Sequence, residues 1–427
     1  MQQVTRKKLG VGVNLTCITT PKFKRAVLRA MLVLPLGGED AALRACLPQV
    51  LRRGTARLHD MRAFGTALDE LYGARIEAAV RKEGENLCIG FLSDCIDQAY
   101  APGADGLTAG VIGLLTDLLC DPYLQDGLFC AAYVDGERGN LLDRIASLKN
   151  DPRSWAPRRL NEIMCENEAY GQSALGTAEQ AARITPETLY AAYRRALREA
   201  QVELFYCGTM QPDDIAALFA ATPLAQPREG TLYQPHTVVQ ARPAGPVREV
   251  IEEAQVTQGK LSLGFRTGGA ALTEGDAPAF WLFQTIYGGS TSAKLFLNVR
   301  EKKSLCYYAS AQFVASKGLM IVNSGIENRN FEVARDEILH QLEVCRTGGI
   351  TESEFESARK TLVNSWRTML DDPLTLERYW LGQAAAGTLV SPEARIDQMA
   401  DVDLARVITA AQNTALDTVF FMKGAAQ

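Results

Sequence analysis

The second half of this 427-residue chain repeats the element order of the first, and that repetition restricts the fold more than any single motif does. In the first half, strand-like runs at 11–17 and 25–35, separated by Thr20-Pro21-Lys22, read as an opening hairpin. Helical periodicity follows over 41–51 and 60–72, with Gly73 as its stop. Alternating runs at 74–81 and 86–92 then flank Lys82-Glu83-Gly84-Glu85 as a second hairpin. The second half offers a strand at 260–266, a break at Gly268-Gly269, a helix over 277–287, a short helix after Gly288-Gly289, and a hairpin over 306–326 turning at Ser316-Lys317-Gly318. Gly54-Thr55 falls against Gly289-Ser290, Asp69-Glu70 against Arg300-Glu301, and Gly84 against Gly318. A period of roughly 230 residues is too long for a solenoid and suits two like domains.

The expected fold is therefore α+β: two homologous tandem domains, each a mainly antiparallel sheet with helices packed on it, together enclosing a cleft. The first spans 1–222, with further helices at 109–120, 127–148, 158–164 and 187–197 and a strand at 202–207. Prolines 223, 227, 235, 243 and 246 mark 223–247 as a linker. The second domain, 248–427, ends with helices at 331–347, 352–370 and 376–387 and a strand near 418–423. A formal charge of -5 and a pI near 5.5 give no basic field for nucleic acid. Asn14, Thr16 and Thr19 interrupt any signal-like apolar run, and no run reaches the length of a membrane span, so a cytoplasmic protein with no membrane partner is expected. Ten cysteines without a Cys-x-x-Cys pattern read as reduced core residues rather than a disulfide framework or a structural zinc site.

The most informative segment runs from Gly288 to Tyr308. Its glycine pair, capping Ser and Thr residues and helix formers predict a helix closing at Arg300-Glu301-Lys302-Lys303. Alternation after Ser304 predicts a strand with Leu305, Tyr307 and Ala309 on one face and Cys306, Tyr308 and Ser310 on the other. Taken singly, an Arg at a helix C-terminus offsets the macrodipole and a strand Tyr is packing. The whole segment, however, resembles the second half of pitrilysin/insulinase-type peptidases, where Arg-Glu-Lys closes a helix ahead of Leu-x-Tyr. The resemblance implies that Arg300 and Tyr307, seven residues apart, contact substrate.

That family carries His-x-x-Glu-His on the helix after the first hairpin, two zinc ligands and a general base. Here the same helix reads Ala45-Cys46-Leu47-Pro48-Gln49 before Gly54-Thr55. Ala45 and Gln49 stand at the histidine positions and Pro48 at that of the base; the third ligand position falls on Arg144, or alternatively Asp143. A helix that offers only one thiol, Cys46, and one amide, Gln49, where that family has two imidazoles does not hold a tetrahedral zinc with an open site, so no metal and no cofactor are expected. His59, His236 and His340 lie in separate elements and form no i, i+4 pair. Other candidates are weak: 288–294 lacks the order of a phosphate loop, 171–175 lacks the last Gly of a nucleophile elbow, Gly10-Val11-Gly12 is no dinucleotide fingerprint, and Asp371-Asp372 before Pro373 reads as a helix stop.

The resemblance implies a protein inactive alone: a zincless subunit of a heterodimeric peptidase, lending Arg300 and Tyr307 to a zinc-bearing paralogous partner that acts on a peptide or protein. Residues 94–100, Tyr170-Gly171 and the segment to Tyr308 resemble a zincless bacterial subgroup associated with modification of elongation factor P. Two further classes remain open: a scaffold subunit of the same fold without proteolysis, as in the core subunits of respiratory complexes, and an independent enzyme, for which the sequence offers no residues.

Overall fold

The computed structural model describes residues 3–226 and 230–424, so Pro227 of the predicted linker lies outside the described residues. In chain order the first half holds β1 Gln3–Gly10, β2 Val13–Thr19, β3 Arg25–Pro35, α1 Ala41–Leu51, α2 Met61–Glu70, β4 Arg75–Glu83, β5 Asn86–Ile96 and α3 Leu107–Cys120. It continues with the two-residue strands β6 Leu124–Gln125 and β7 Leu128–Phe129, then α4 Ala131–Ser147, α5 Pro152–Met164, α6 Ala178–Ala182, α7 Pro186–Glu199, β8 Gln201–Gly208 and α8 Pro212–Ala220. The second half holds β9 Arg248–Ala254, β10 Gly259–Arg266, α9 Ala277–Gly288, β11 Cys306–Val314 and β12 Leu319–Ile326. It ends with α10 Phe331–Arg346, α11 Glu352–Met369, α12 Pro373–Ala385, α13 Pro392–Ala400, α14 Leu404–Asn413 and β13 Ala415–Gly424.

Two sheets organise the chain. The first runs β1-β2-β8-β3-β5-β4 and the second β11-β12-β10-β13-β9. Read from β4 and from β11, the two orders are the same, and so is the sense of every pairing: antiparallel throughout except for β2 with β8 and β9 with β13, which are parallel. The duplication read from the sequence is thus a duplication of topology, with β1 the addition peculiar to the first sheet. The fold is α+β, with two mixed sheets each packed with helices. Among the described residues, no helix is long and apolar enough to cross a membrane.

The expected opening hairpin between 11–17 and 25–35 does not form. β8 lies between β2 and β3 in the sheet, pairing parallel with one and antiparallel with the other. The opening hairpin is instead β1 with β2, turning at Val11-Gly12, where Gly12 adopts φ 68°. Central β3 reads as a nearly continuous apolar run because nine consecutive residues, Ala26 to Leu34, are buried. Helix α5 starts at Pro152 rather than 158, since Asp151 caps it and Pro152 takes the first helical turn, where a missing N–H costs nothing.

By contacts the chain divides into one unit of Met1–Ala146, Gln172–His236 and Asp372–Gly387, and another of Ser147–Gly171, Thr237–Asp371 and Thr388–Gln427. Helix α12, from the second half of the sequence, therefore belongs to the first unit, where Leu381 and Ala385 pack on Met31, Val33 and Cys88. Helix α5, from the first half, belongs to the second unit, where Ala156, Leu160 and Ile163 pack on Ile321, Phe420 and Met422. Buried charge accompanies both helices. Arg29 on β3, fully buried, donates from Nη1 to the Glu377 carboxylate and to the Glu377 carbonyl, each at 2.8 Å, and Arg81 Nη1 reaches the same carboxylate at 2.7 Å. In the second unit Arg266 donates to Glu168 at 2.7 Å, to Asp417 at 2.8 Å and to the Met164 carbonyl at 3.2 Å, and Lys317 sits 2.6 Å from Glu168.

Candidate functional site

Helix α1 runs on through Pro48 to Leu51 and buries Ala45, Cys46, Leu47 and Pro48. Its Ala45, Cys46 and Gln49 line a cavity of about 510 Å3 with Glu137, Asn140, Leu141, Asp143 and Arg144 of α4; Pro48 is not among the lining residues. Glu137, which the sequence reading did not single out, is the buried carboxylate here: it accepts from Arg53 Nη1 at 3.1 Å and from Asn140 Nδ2 at 3.0 Å. Burial pushes the Cys46 thiol up to about 12, with the Glu137 carboxylate adding to the effect, so the sulfur is a neutral thiol at physiological pH. The donor set does not fit zinc. Among the described residues, no three His, Cys, Asp or Glu side chains converge as metal ligands, and all three histidines are exposed on separate elements.

In the second unit, the segment after α9 is helical as expected but wound differently. Residues Leu295–Lys302 form a π-helix, in which Lys303 N–H donates to the Asn298 carbonyl five residues back at 3.2 Å. Side-chain tethers match that winding: Asn298 Nδ2 donates to Gln341 at 2.9 Å, and five residues on Lys303 pairs with Glu337, both partners lying on α10. Lys294 at the start is bound to Glu354 of α11 at 2.7 Å. Leu295 and Val299 are fully buried, which leaves Arg300 on the outer side. Its guanidinium lies 4.7 Å over the Phe296 ring, with Nε 3.4 Å from Glu301, and the side chain keeps 42% exposure.

Ser304, at φ 51°, ends the helix in a left-handed turn that feeds β11. There the register breaks: Cys306 pairs with Ile326 and Tyr308 with the adjacent Gly325, so Tyr307 is an extra residue, a β-bulge. The expected faces are corrected by this bulge. Cys306, Ala309 and Ala311 are buried, whereas Tyr307 is 53% exposed and does not share the face of Ala309. Tyr308 is held in place, with Arg153 stacked 4.5 Å from its ring; a Cβ at Gly325 would stand 2.5 Å from that ring. The Tyr307 hydroxyl has no hydrogen-bond partner among the described residues. The bulged phenol presents a hydroxyl that none of the described residues uses, whereas the Arg300 guanidinium is paired with Phe296 and Glu301 yet remains part exposed. The i, i+4 spacing of Phe296 and Arg300 is the sequence signal that could have found the stacking partner.

Residues 183–362 match a family model described as the peptidase M16 inactive domain. A Bacillus subtilis protein named "Probable inactive metalloprotease YmfF" is 31% identical over 97% of this chain and 96% of its own length. Among solved structures, a conserved protein from Enterococcus faecalis superposes with a TM-score of 0.88 at 27% identity, covering 99% of each chain. A structure titled as the peptidase M16 inactive domain from Pseudomonas fluorescens gives 0.79 at 17% identity, again over 99% of each chain, a likeness of fold.

Proposed function

Because this chain belongs to the M16, or pitrilysin-type, peptidase family and its metal helix carries no ligand, we propose that it is the zincless subunit of a heterodimeric peptidase. In this reading a zinc-bearing paralogue supplies the metal and general base. This chain supplies Arg300 and Tyr307 to the peptide or protein substrate. The observation that carries the reading is the bulge at Tyr307, which spends a residue of sheet pairing to leave a phenol outward and unpartnered. Such devices persist where they re-aim a side chain. The resemblance to the subgroup associated with elongation factor P modification makes a segment of that factor the first substrate to try.

The experiment is association: light scattering of the chain alone and mixed with a His-x-x-Glu-His relative from the same organism. A 1:1 complex at micromolar concentration is expected, and failure to associate would remove the basis for a shared site. A scaffold role in a larger assembly is the second reading. It is favoured by one feature, the pairing of Arg300 with Glu301 and Phe296, which gives the guanidinium partners of its own.

A further inference from the structure

The two sheets differ at one edge. Read from β4 and from β11, their orders agree as far as β2 and β9, each parallel to its inner neighbour; beyond β2 the first sheet adds β1, and beyond β9 the second adds no strand among the described residues. Free edges are ordinarily blunted by a bulge, a proline, a covering element or charge. β9 has no proline, and its seven residues, Arg248–Ala254, run in unbroken register with β13 from Thr418 to Gly424. Its outer row of N–H and C=O groups is therefore regular and open to pairing. The twin edge shows what this fold accepts there: an antiparallel strand, with β1 paired on β2 from Gln3 opposite Thr19 to Gly10 opposite Val13.

Charge is the device that β9 does carry, and it is chiefly of one sign: Glu249, Glu252 and Glu253 against Arg248. Val250 and Ala254 pack toward α5, and Glu252 on that face accepts from Arg159 Nε at 2.9 Å; Glu249 on the opposite face accepts from Arg335 of α10 at 2.8 Å. Glu253 is exposed and has no ion-pair partner among the described residues, and Ile251 on the same face is 50% exposed. At the end of the strand lies a cavity of about 780 Å3 lined in part by Trp155, Glu162, Glu252, Glu253, Ala254 and Val256. Were two copies of β9 to pair antiparallel in full overlap, Glu249 of each would stand opposite Glu253 of the other, which disfavours a second copy as the occupant. The strand that fills the twin edge is of the opposite character, with Arg6, Lys7 and Lys8.

We propose that the free edge of β9 docks an extended basic segment of a partner protein, added antiparallel to β9 as β1 is to β2, with a cation against Glu253 and alternate side chains over the cavity beside α5. Main-chain hydrogen bonds supply the affinity, and the carboxylates select a basic strand over an acidic one. β9 lies four strand spacings, about 19 Å, from β11, the edge strand that carries Tyr307. The docking edge uses none of the residues assigned to substrate, so it is independent of the peptidase reading.

The probe is a capped, labelled peptide of the β1 sequence, Gln3–Gly10, titrated into the full chain by fluorescence anisotropy, with amide hydrogen exchange to locate it. Three further versions accompany it: one with Glu in place of its three basic residues, one N-methylated at Val4, Arg6 and Lys8, and one N-methylated at Thr5 and Lys7. Saturable binding that slows exchange in β9, and not in the other edge strands β1, β4 and β11, is the expected result. The acidic version should bind about tenfold more weakly, and so should the basic peptide to a Glu253→Lys chain, whose melting temperature should not change because Glu253 is exposed. One N-methylated version should bind like the parent and the other not at all, because an added strand pairs through one of its edges, where every second N–H lies. Absence of saturable binding overturns the proposal, as does protection away from β9 or equal binding of the two methylated versions. Equal binding of the acidic version would overturn the choice of a basic segment, and self-association that protects β9 without peptide would overturn it in favour of a second copy.

Discussion

Tyr307 owes its outward position to one extra residue in β11 rather than to strand alternation, and Arg300 owes its own to a helix whose turns are widened to i→i+5. Both departures are local, and each is fixed by packing on one side: Tyr308 between Arg153 and Gly325, and Leu295 and Val299 in the core. If these residues serve substrate, their chemistry and not their bulk is what counts. Tyr307→Phe removes one hydroxyl and leaves the ring; Arg300→Lys replaces a planar fork with a point charge. In a mixture with the zinc-bearing partner, each should lower turnover about 100-fold, the scale on which a preorganised donor acts. Melting temperature should hardly move, since Arg300 and Tyr307 are both exposed. Unchanged turnover in both variants would return the two residues to surface packing.

At the scale of elements, the joining of distant sequence is the feature most open to measurement. Among the described residues, Glu377 of α12 is the one carboxylate bonded to Arg29 Nη1, and Arg29 is fully buried among β3, β8 and the helix. Glu377→Ala leaves that guanidinium without a counter-charge, which should cost about 3–5 kcal/mol. Replacing the pair together, Arg29→Met with Glu377→Leu, should recover most of the loss, because an apolar pair avoids the desolvation that the ion pair must offset. Denaturant unfolding of the two variants and of Arg29→Met alone measures the coupling, and additive losses would show that the pair does not act as a unit.

The same elements show what a sequence conceals. Helix α1 and the hairpin between β11 and β12 were legible because periodicity and turn glycines are local signals. The partner of β2 was not, since parallel pairing with β8 joins residues about 190 apart and leaves no mark between them. Strand β9 and helices α13 and α14 were missed altogether; β9 alternates only between half-buried and exposed, so its apolar signal is faint. Alternation also cannot register a bulge, which is why the faces around Tyr307 were read in the wrong phase. The exchange of α5 and α12 follows from tertiary packing alone. Glu137 leaves no mark in the sequence, because one of the two side chains that bond its carboxylate, Arg53, lies 84 residues away.

For the whole molecule, two sheets of one topology carry the family frame, and the proposed reading adds that α1, with Ala45, Pro48 and Gln49, supplies no metal ligands. Purified chain should therefore hold no stoichiometric zinc by elemental analysis; about one tightly bound ion per chain would contradict the reading of the cavity lined by Ala45, Gln49 and Arg144. The most direct test of the central claim is peptide cleavage by each purified subunit and by their mixture. Cleavage by the mixture alone, abolished by a zinc chelator and reduced by Tyr307→Phe, is the predicted result. Equal cleavage by the zinc-bearing relative without this chain would contradict it.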